Sequence, residues 1–354
     1  MKKRDFLKTF GTAAIGAPFL SFDSNLNYNH VDYSDRKNLS EKEFWKKIRE
    51  DYTLKKDYLN LENGYYCIIP NPTLNNFISH VKKINIEGSY YMRYHSDKDN
   101  RRIETRLAKF LSCSPEELVV TRNTTESLDL IVGGFPWKKG DEAIYAIQDY
   151  GSMQQMFKLV SKRYGVVNKV VSVPNHPKSD EEIVKLYEEQ ITSKTKLIMV
   201  CHMINITGHI LPIRKICDMA HKYGVEVMVD GAHCVGHFKV NISELNCDYY
   251  GSSLHKWLST PLGVGILYVS KNKISKINPL LASHIHEEDN ILRLNHIGTH
   301  PVYTDLAVDN ALDYQEMIGM DRKENRLRYI QRYWSDSLRK VKNVVINTPI
   351  EKHK

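Results

Sequence analysis

The chain alternates between short, unbroken apolar runs and longer stretches in which apolar residues recur every three or four positions. The runs at 118–121, 141–148, 167–173, 196–201, 225–229 and 266–269 have strand length, and several are rich in β-branched residues. Continuous rather than alternating apolarity is what a strand buried on both faces requires. Helical spacing is clearest at 101–111, where Ile103, Leu107 and Leu111 form one stripe, and it recurs at 152–164, 180–192, 213–223 and 322–341. Ser40 and Glu43 form a capping box that opens a helix reaching about Glu50, with Trp45 and Ile48 on the face expected to pack. A last apolar stretch, 344–347, reads as a further strand. Strand followed by helix, repeated, predicts an α/β protein with a mostly parallel sheet covered on both sides.

The run 225–229 stops on an acid, Asp230, followed by Gly231, which delivers a carboxylate to the carboxyl edge of the sheet where α/β proteins place ligands. Farther on comes a polar cluster, Ser252, Ser253, His255 and Lys256, and then the strand 266–269. An acid at one strand end and a lysine near another suggest a pyridoxal phosphate site. The amine of Lys256 would form the Schiff base with the cofactor aldehyde, and Asp230 would keep the pyridinium nitrogen protonated so that the ring acts as an electron sink. Hydroxyl and imidazole donors beside the lysine would suit the phosphate.

The segments VDGAH and SSLHKWLSTPLGVGILYV resemble the class V aminotransferases, fold-type I pyridoxal phosphate enzymes, and within them the isopenicillin N epimerase-like and cysteine desulfurase-like branch. The resemblance covers residues 58–349. It implies a mostly parallel seven-stranded sheet covered by helices, with an incomplete small C-terminal α/β domain. It also places a large cofactor-binding domain at 58–310 and the start of the small domain at 311–354. TRNTTESLDLIVGG resembles the family's phosphate cradle, where a strand turns into a helix whose free N–H groups favour an anion. Thr124 and Thr125 would add hydroxyls there, and Ser253 and His255 would hold the same phosphate. Tyr150 matches the position whose ring stacks on the pyridine, a histidine in the desulfurases. Within CHMINITGHILPI, Asn205 would bond the ring hydroxyl, Gly208 would allow the turn, and Cys201 replaces the usual Ser or Thr. Ala232 would pack beneath the ring, and His233 would reach the ring hydroxyl or the Schiff base. LNHIGTHPVY resembles the segment that reaches the phosphate of the neighbouring subunit, so Thr299 would act in trans in a homodimer. The lead-in 58–72 would line the substrate side, with Asn63 and Gly64 as candidates. Relatives carry the substrate-carboxylate arginine, and in desulfurases the nucleophilic cysteine, in the small C-terminal domain. Arg293 and Arg93 are the alternative anchors considered in this chain.

Composition changes the picture little. A net charge of +8 is spread among acids, with no basic block interleaved with aromatics, so nucleic acid is not an expected partner. The six cysteines show neither CxxC pairs nor zinc spacing, which argues against a metal site and a disulfide framework. Residues 1–20 have a basic start and a moderately apolar middle, the layout of an export signal too weakly apolar for a stable membrane span. KRDFLK resembles the twin-arginine motif with Lys3 in the first arginine position, implying an exported or periplasmic enzyme; the alternative is an amphipathic helix of a cytoplasmic one. Residues 21–38 read as a polar linker, so that 21–57 comprises linker and N-terminal helix. Three functions stay open: an amino-acid epimerase, lyase or transaminase; a cysteine or selenocysteine desulfurase; and a non-catalytic protein that keeps the fold.

Overall fold

A computed structural model describes residues 31–282 and 286–350. Every element named below belongs to the compact unit Asp32–Lys354. The expected export segment lies outside the described residues.

The amino-terminal part is helical: α1 (Glu41–Glu50), α2 (Asn71–Glu87), α3 (Ser89–Tyr94) and α4 (Ser96–Leu111). Strand and helix then alternate through β1 (Leu118–Thr121), α5 (Thr124–Gly134), β2 (Glu142–Ala146), α6 (Gly151–Tyr164), β3 (Val167–Val171) and α7 (Asp180–Glu188). The alternation continues with β4 (Thr195–Cys201), α8 (Ile213–Lys222), β5 (Glu226–Asp230), the single turn α9 (Ile242–Leu245), β6 (Tyr249–Ser253) and β7 (Gly265–Val269). Two long helices follow, α10 (Val302–Ile318) and α11 (Met320–Leu338).

The strands form one seven-stranded sheet in the order β1-β7-β6-β5-β4-β2-β3. All pairs from β3 to β6 are parallel, while β7 runs antiparallel to both β6 and β1. This is the expected mostly parallel sheet of fold-type I pyridoxal phosphate transferases. Successive side chains on each strand face opposite layers. Val227, Val229, Tyr250 and Ile266 pack with Ile103, Leu107 and Leu111 of α4 and Ile216 of α8. Met228, Tyr249 and Leu267 pack on the other face with Leu128 and Ile131 of α5 and Phe157 of α6.

The capping box at Ser40 forms as read, with Glu43 N–H donating to Ser40 Oγ and Ser40 N–H to the Glu43 carboxylate. α1 buries Phe44 and Ile48 against Tyr314 and Ile318 of α10, with Trp45 partly buried and packed against the same cluster. The second half of the expected linker is also docked, since Arg36 pairs with Asp51 and Tyr33 packs edge-on against Tyr314. Residues 344–347 do not form the expected strand; they run as irregular chain after α11. The boundary expected at 310/311 falls inside α10, a helix buried along its length. Among the described residues no helix is long and apolar enough to cross a membrane.

Candidate active site

β5 carries Asp230 to the carboxyl edge of the sheet, level with Cys201 on β4 and Gly251 on β6. Gly231 then lets the chain turn against Tyr250, whose ring would lie 2.1 Å from a Cβ at that position. Asp230 is buried and accepts the Ala232 N–H at 3.0 Å. Burial raises its pKa, against the opposing pull of that N–H and of Lys256.

β6 ends at Ser253, and Lys256 lies in the turn that follows. The amine of Lys256 is 3.1 Å from His233 Nε2. Burial lowers the lysine's pKa, and the charge of Asp230 offsets part of that effect. His233 is pushed down to about 3, first by burial and then by Lys256 and His237, so its ring is neutral at pH 7.

Across the cavity, Asn123 caps α5 by accepting the Glu126 N–H at 2.9 Å. Thr124 donates its N–H to Ser253 Oγ at 3.0 Å, and the two hydroxyls lie 2.7 Å apart. Gly265 permits this approach, because a Cβ there would stand 2.7 Å from Asn123 Cα and 2.8 Å from the Ser252 carbonyl. A helix start with two hydroxyls beside it is a site for a phosphate-like anion. His255 donates from Nδ1 to the Val264 carbonyl at 3.1 Å, which leaves Nε2 bare in the neutral ring. It donates a second hydrogen bond only when protonated, and burial opposes that.

These groups line one cavity of about 290 Å³, together with Thr125, Tyr150, Asn205 and Ala232. Of the expected cofactor-site residues Thr299 is missing from its wall, exposed on the loop before α10, and so is Gly208, which takes a positive φ after β4. Asn63 and Gly64 do not line the cavity either. Asn63 Oδ1 accepts the Ile68 N–H and the Asn60 amide, and Gly64 lies against the Trp257 ring. The lead-in contributes Tyr65 and Tyr66 instead. Tyr65 and Tyr150 share a hydrogen bond of 2.7 Å, which pushes Tyr65 up to about 12, and the Tyr65 ring centroid is 5.2 Å from the Lys256 amine. Nothing in the spacing of the lead-in marks these tyrosines; only the adjacency of two aromatics in a turn-rich stretch was available as a signal.

Neither alternative anchor reaches the cavity. Arg293 donates to the Ile274 and Ile277 carbonyls, and Arg93 lies exposed on α3. The arginine on the cavity wall is Arg122, paired in two hydrogen bonds with Glu126. It stands inside the TRNTT segment that already marked the phosphate end.

The site fits pyridoxal phosphate on its own chemistry. Asp230 is a buried acid with no ion-pair partner at salt-bridge distance among the described residues. A protonated ring nitrogen is the kind of group that would compensate such a carboxylate. The α5 start and its hydroxyls answer the phosphate, and the half-buried lysine answers the aldehyde.

Comparisons with known proteins agree with the architecture. An isopenicillin N epimerase of Amycolatopsis lactamdurans is 28% identical over 251 residues, covering 66% of this chain and 63% of that protein. A probable cysteine desulfurase of Synechocystis is 25% identical over 330 residues, covering 86% and 77%. The chain thus spans less than two thirds of the length of the first of these relatives. Among solved structures, the cystine C–S lyase C-DES, in complex with cysteine persulfide, superposes with a TM-score of 0.74 at 19% identity over 81% of each chain, a likeness of fold. The profile of the Aminotransferase class-V family matches residues 73–354. With that match over most of its length, and with the sheet and cavity described above, the chain belongs to the class V aminotransferase family.

Proposed function

We propose that this pyridoxal phosphate-dependent enzyme acts on an amino acid, with Lys256 as the residue that carries the cofactor. The observation that carries the reading is the convergence of Lys256, Asp230 and the Thr124–Ser253 pair on one cavity. Asp230 would hold the ring nitrogen's proton, Asn205 the ring hydroxyl, and the α5 start with Thr124, Thr125 and Ser253 the phosphate, joined by His255 only in its protonated form. Ala232 and Tyr150 would take the two faces of the ring, for which tyrosine supplies the flat surface. Bound there, the cofactor supplies an electron sink for a bond broken next to the substrate nitrogen. Lys256, once released from the cofactor, is the amine placed to remove or return a proton. Epimerase, lyase and transaminase reactions all use these same groups.

The desulfurase reading, supported by relatives of that name, needs a reactive thiolate. Burial raises the pKa of every one of the six cysteines; Cys67 is pushed up to about 11, and Cys201 stands well above the ordinary thiol range. Cys201 also donates its S–H to the Met203 carbonyl at 2.9 Å. None of these is a ready nucleophile. Tyr150 in place of histidine further weakens the reading, because a phenol exchanges protons poorly near neutral pH.

The test is the visible spectrum of the protein incubated with pyridoxal phosphate, before and after Lys256→Ala. The expected result is an absorbance band from lysine-bound cofactor that the substitution abolishes. A protein that stays colourless would leave only the third reading, a fold kept without the chemistry. Release of sulfide from cysteine by the coloured protein would restore the desulfurase.

A further inference from the structure

Trp257 follows the proposed cofactor lysine, and its indole is held from several sides. The ring lies parallel to the His237 imidazole, with 3.6 Å between centroids and 11° between planes. Its carbonyl accepts from Lys323 Nζ at 2.6 Å, and Lys323 also donates to Gln315 Oε1 at 2.9 Å. The Gln315 amide in turn donates to the Leu258 carbonyl at 3.2 Å. Gly64 leaves the room the indole needs, since a Cβ there would lie 2.8 Å from Trp257 Cζ2.

Held this way, Trp257 Nε1 reaches His233 Nδ1 at 3.3 Å. An indole N–H only donates, so Nδ1 must accept. A neutral imidazole with Nδ1 bare carries its proton on Nε2, the atom 3.1 Å from Lys256 Nζ. The lysine nitrogen must then accept, which an ammonium cannot do. We infer that Trp257 is a positioning residue: it selects the Nε2–H tautomer of His233 and thereby favours Lys256 as an unprotonated amine in the ligand-free site. The consequence for cofactor capture rests on the function proposed above; the tautomer itself does not.

Charges around the pair act in both directions. Lys256 faces Asp230 from β5, whose carboxylate favours its ammonium, against burial; Cys201 from β4 and Cys234 face it as well, kept as neutral thiols by their own burial. His233 faces Lys256 and His237, both of which, like burial, favour its neutral form. The geometry of Trp257 therefore decides not whether His233 is neutral but which nitrogen holds its proton.

Two measurements test this. Long-range proton–nitrogen NMR on histidine-labelled, ligand-free protein reports the tautomer of each imidazole, with the His233 signal identified by its loss in His233→Gln. The expected result is the Nε2–H form in the natural chain and a shift toward Nδ1–H in Trp257→Phe, which keeps an aromatic ring on His237 and removes the donor. A natural chain with the proton on Nδ1, or a tautomer that Trp257→Phe leaves alone, overturns the inference. The second measurement follows covalent attachment of pyridoxal phosphate to Lys256 against pH, trapped by borohydride and read by mass spectrometry. Trp257→Phe should move the acid limb up by about one pH unit, making attachment roughly tenfold slower on its steep part. In a His233→Gln background the side-chain amide donates to Lys256 by itself, so Trp257→Phe should add little. An equal loss in both backgrounds would mean that Trp257 merely braces the turn, and the inference would fall. If the tautomer is as expected but the natural chain never attaches the cofactor, the proposed function fails while the tautomer assignment stands.

Discussion

Asp149 precedes the ring-stacking candidate Tyr150 and is buried with one oxygen accepting the Ala146 N–H at 2.7 Å. Its other oxygen has no partner among the described residues. Burial, helped by the charge of Asp230, pushes the carboxyl up to about 8, so Asp149 is a neutral acid at pH 7. The folded state then keeps a proton that the unfolded chain releases above about pH 4, and stability falls as pH rises from there through the folded value. Asp149→Asn should remove that slope, which is on the order of 1.4 kcal/mol per pH unit. Denaturant unfolding at roughly pH 5 and pH 8 checks it: the natural chain should lose stability relative to the variant at the higher pH. Parallel changes in the two proteins would count against a protonated Asp149.

Single residues were legible where a local pattern framed them. Asp230 ends an apolar run, and Lys256 follows two serines and a histidine, so both announce a sheet edge with donors. Tyr65 and Trp257 had no such frame. The role inferred for Trp257 depends on an indole N–H meeting an imidazole 24 positions away in sequence, a distance that only the folded turn closes.

At the scale of elements, α5 connects helix formation to ligand binding most directly. Asn123 is extended and its side chain satisfies the Glu126 N–H, one of the donors a helix start leaves free. Asn123→Ala should cost about 1 kcal/mol of stability and weaken pyridoxal phosphate binding, because the same helix start carries Thr124. Thermal melts with and without the cofactor would show a lower midpoint in both and a smaller cofactor-induced rise. A variant with an unchanged cofactor-induced rise would separate the cap from the phosphate site.

Six of the seven strands and the amphipathic helices were read close to their true bounds, since each shows the period its burial demands; β6, YYGSS, has no apolar run and was read only as a polar cluster. The helices α2 and α10 were not read, and the reason is chemical. α2 buries Thr73, Asn76 and His80 while Ile78 stays exposed, and α10 buries Thr304, Asp305, Asp309 and Asn310. They meet partly through polar contacts such as His80 to Asn310 at 2.9 Å, and Asp309 is answered by Arg102 and Arg106 of α4. α2 buries a polar face, and α10 is buried all round with its polar residues set among Leu306, Val308 and Leu312, so neither leaves a single apolar stripe to find. The expected strand at 344–347 failed for the opposite reason: its apolar residues have the right composition but no neighbouring strand to bond, and Val345 is exposed.

For the whole molecule, the exposed position of Thr299, away from this chain's own cavity, suits a residue that serves a second copy. We propose a homodimer with composite sites. Sedimentation should give a dimeric mass, and Thr299→Ala should weaken cofactor binding several-fold without altering that mass. A monomeric mass, or cofactor binding that Thr299→Ala leaves unchanged, would sink the proposal.

The place of β7 in the sheet has a consequence for how the chain acquires its site. The last strand in sequence lies between β6 and β1, the first, and is antiparallel to both. Until β7 is in place, β1 has no strand to bond and nothing ties it to β6, and the bond from Thr124 to Ser253 spans 129 positions. Contacts of such separation form slowly, because the intervening chain must first give up its freedom. On the ribosome, residues through 230 already encode most of the parallel sheet, yet they cannot grip an anion. Cofactor capture is therefore a late event of biosynthesis, and the nascent chain that awaits β7 exposes two unpaired strand edges on which neighbours can aggregate.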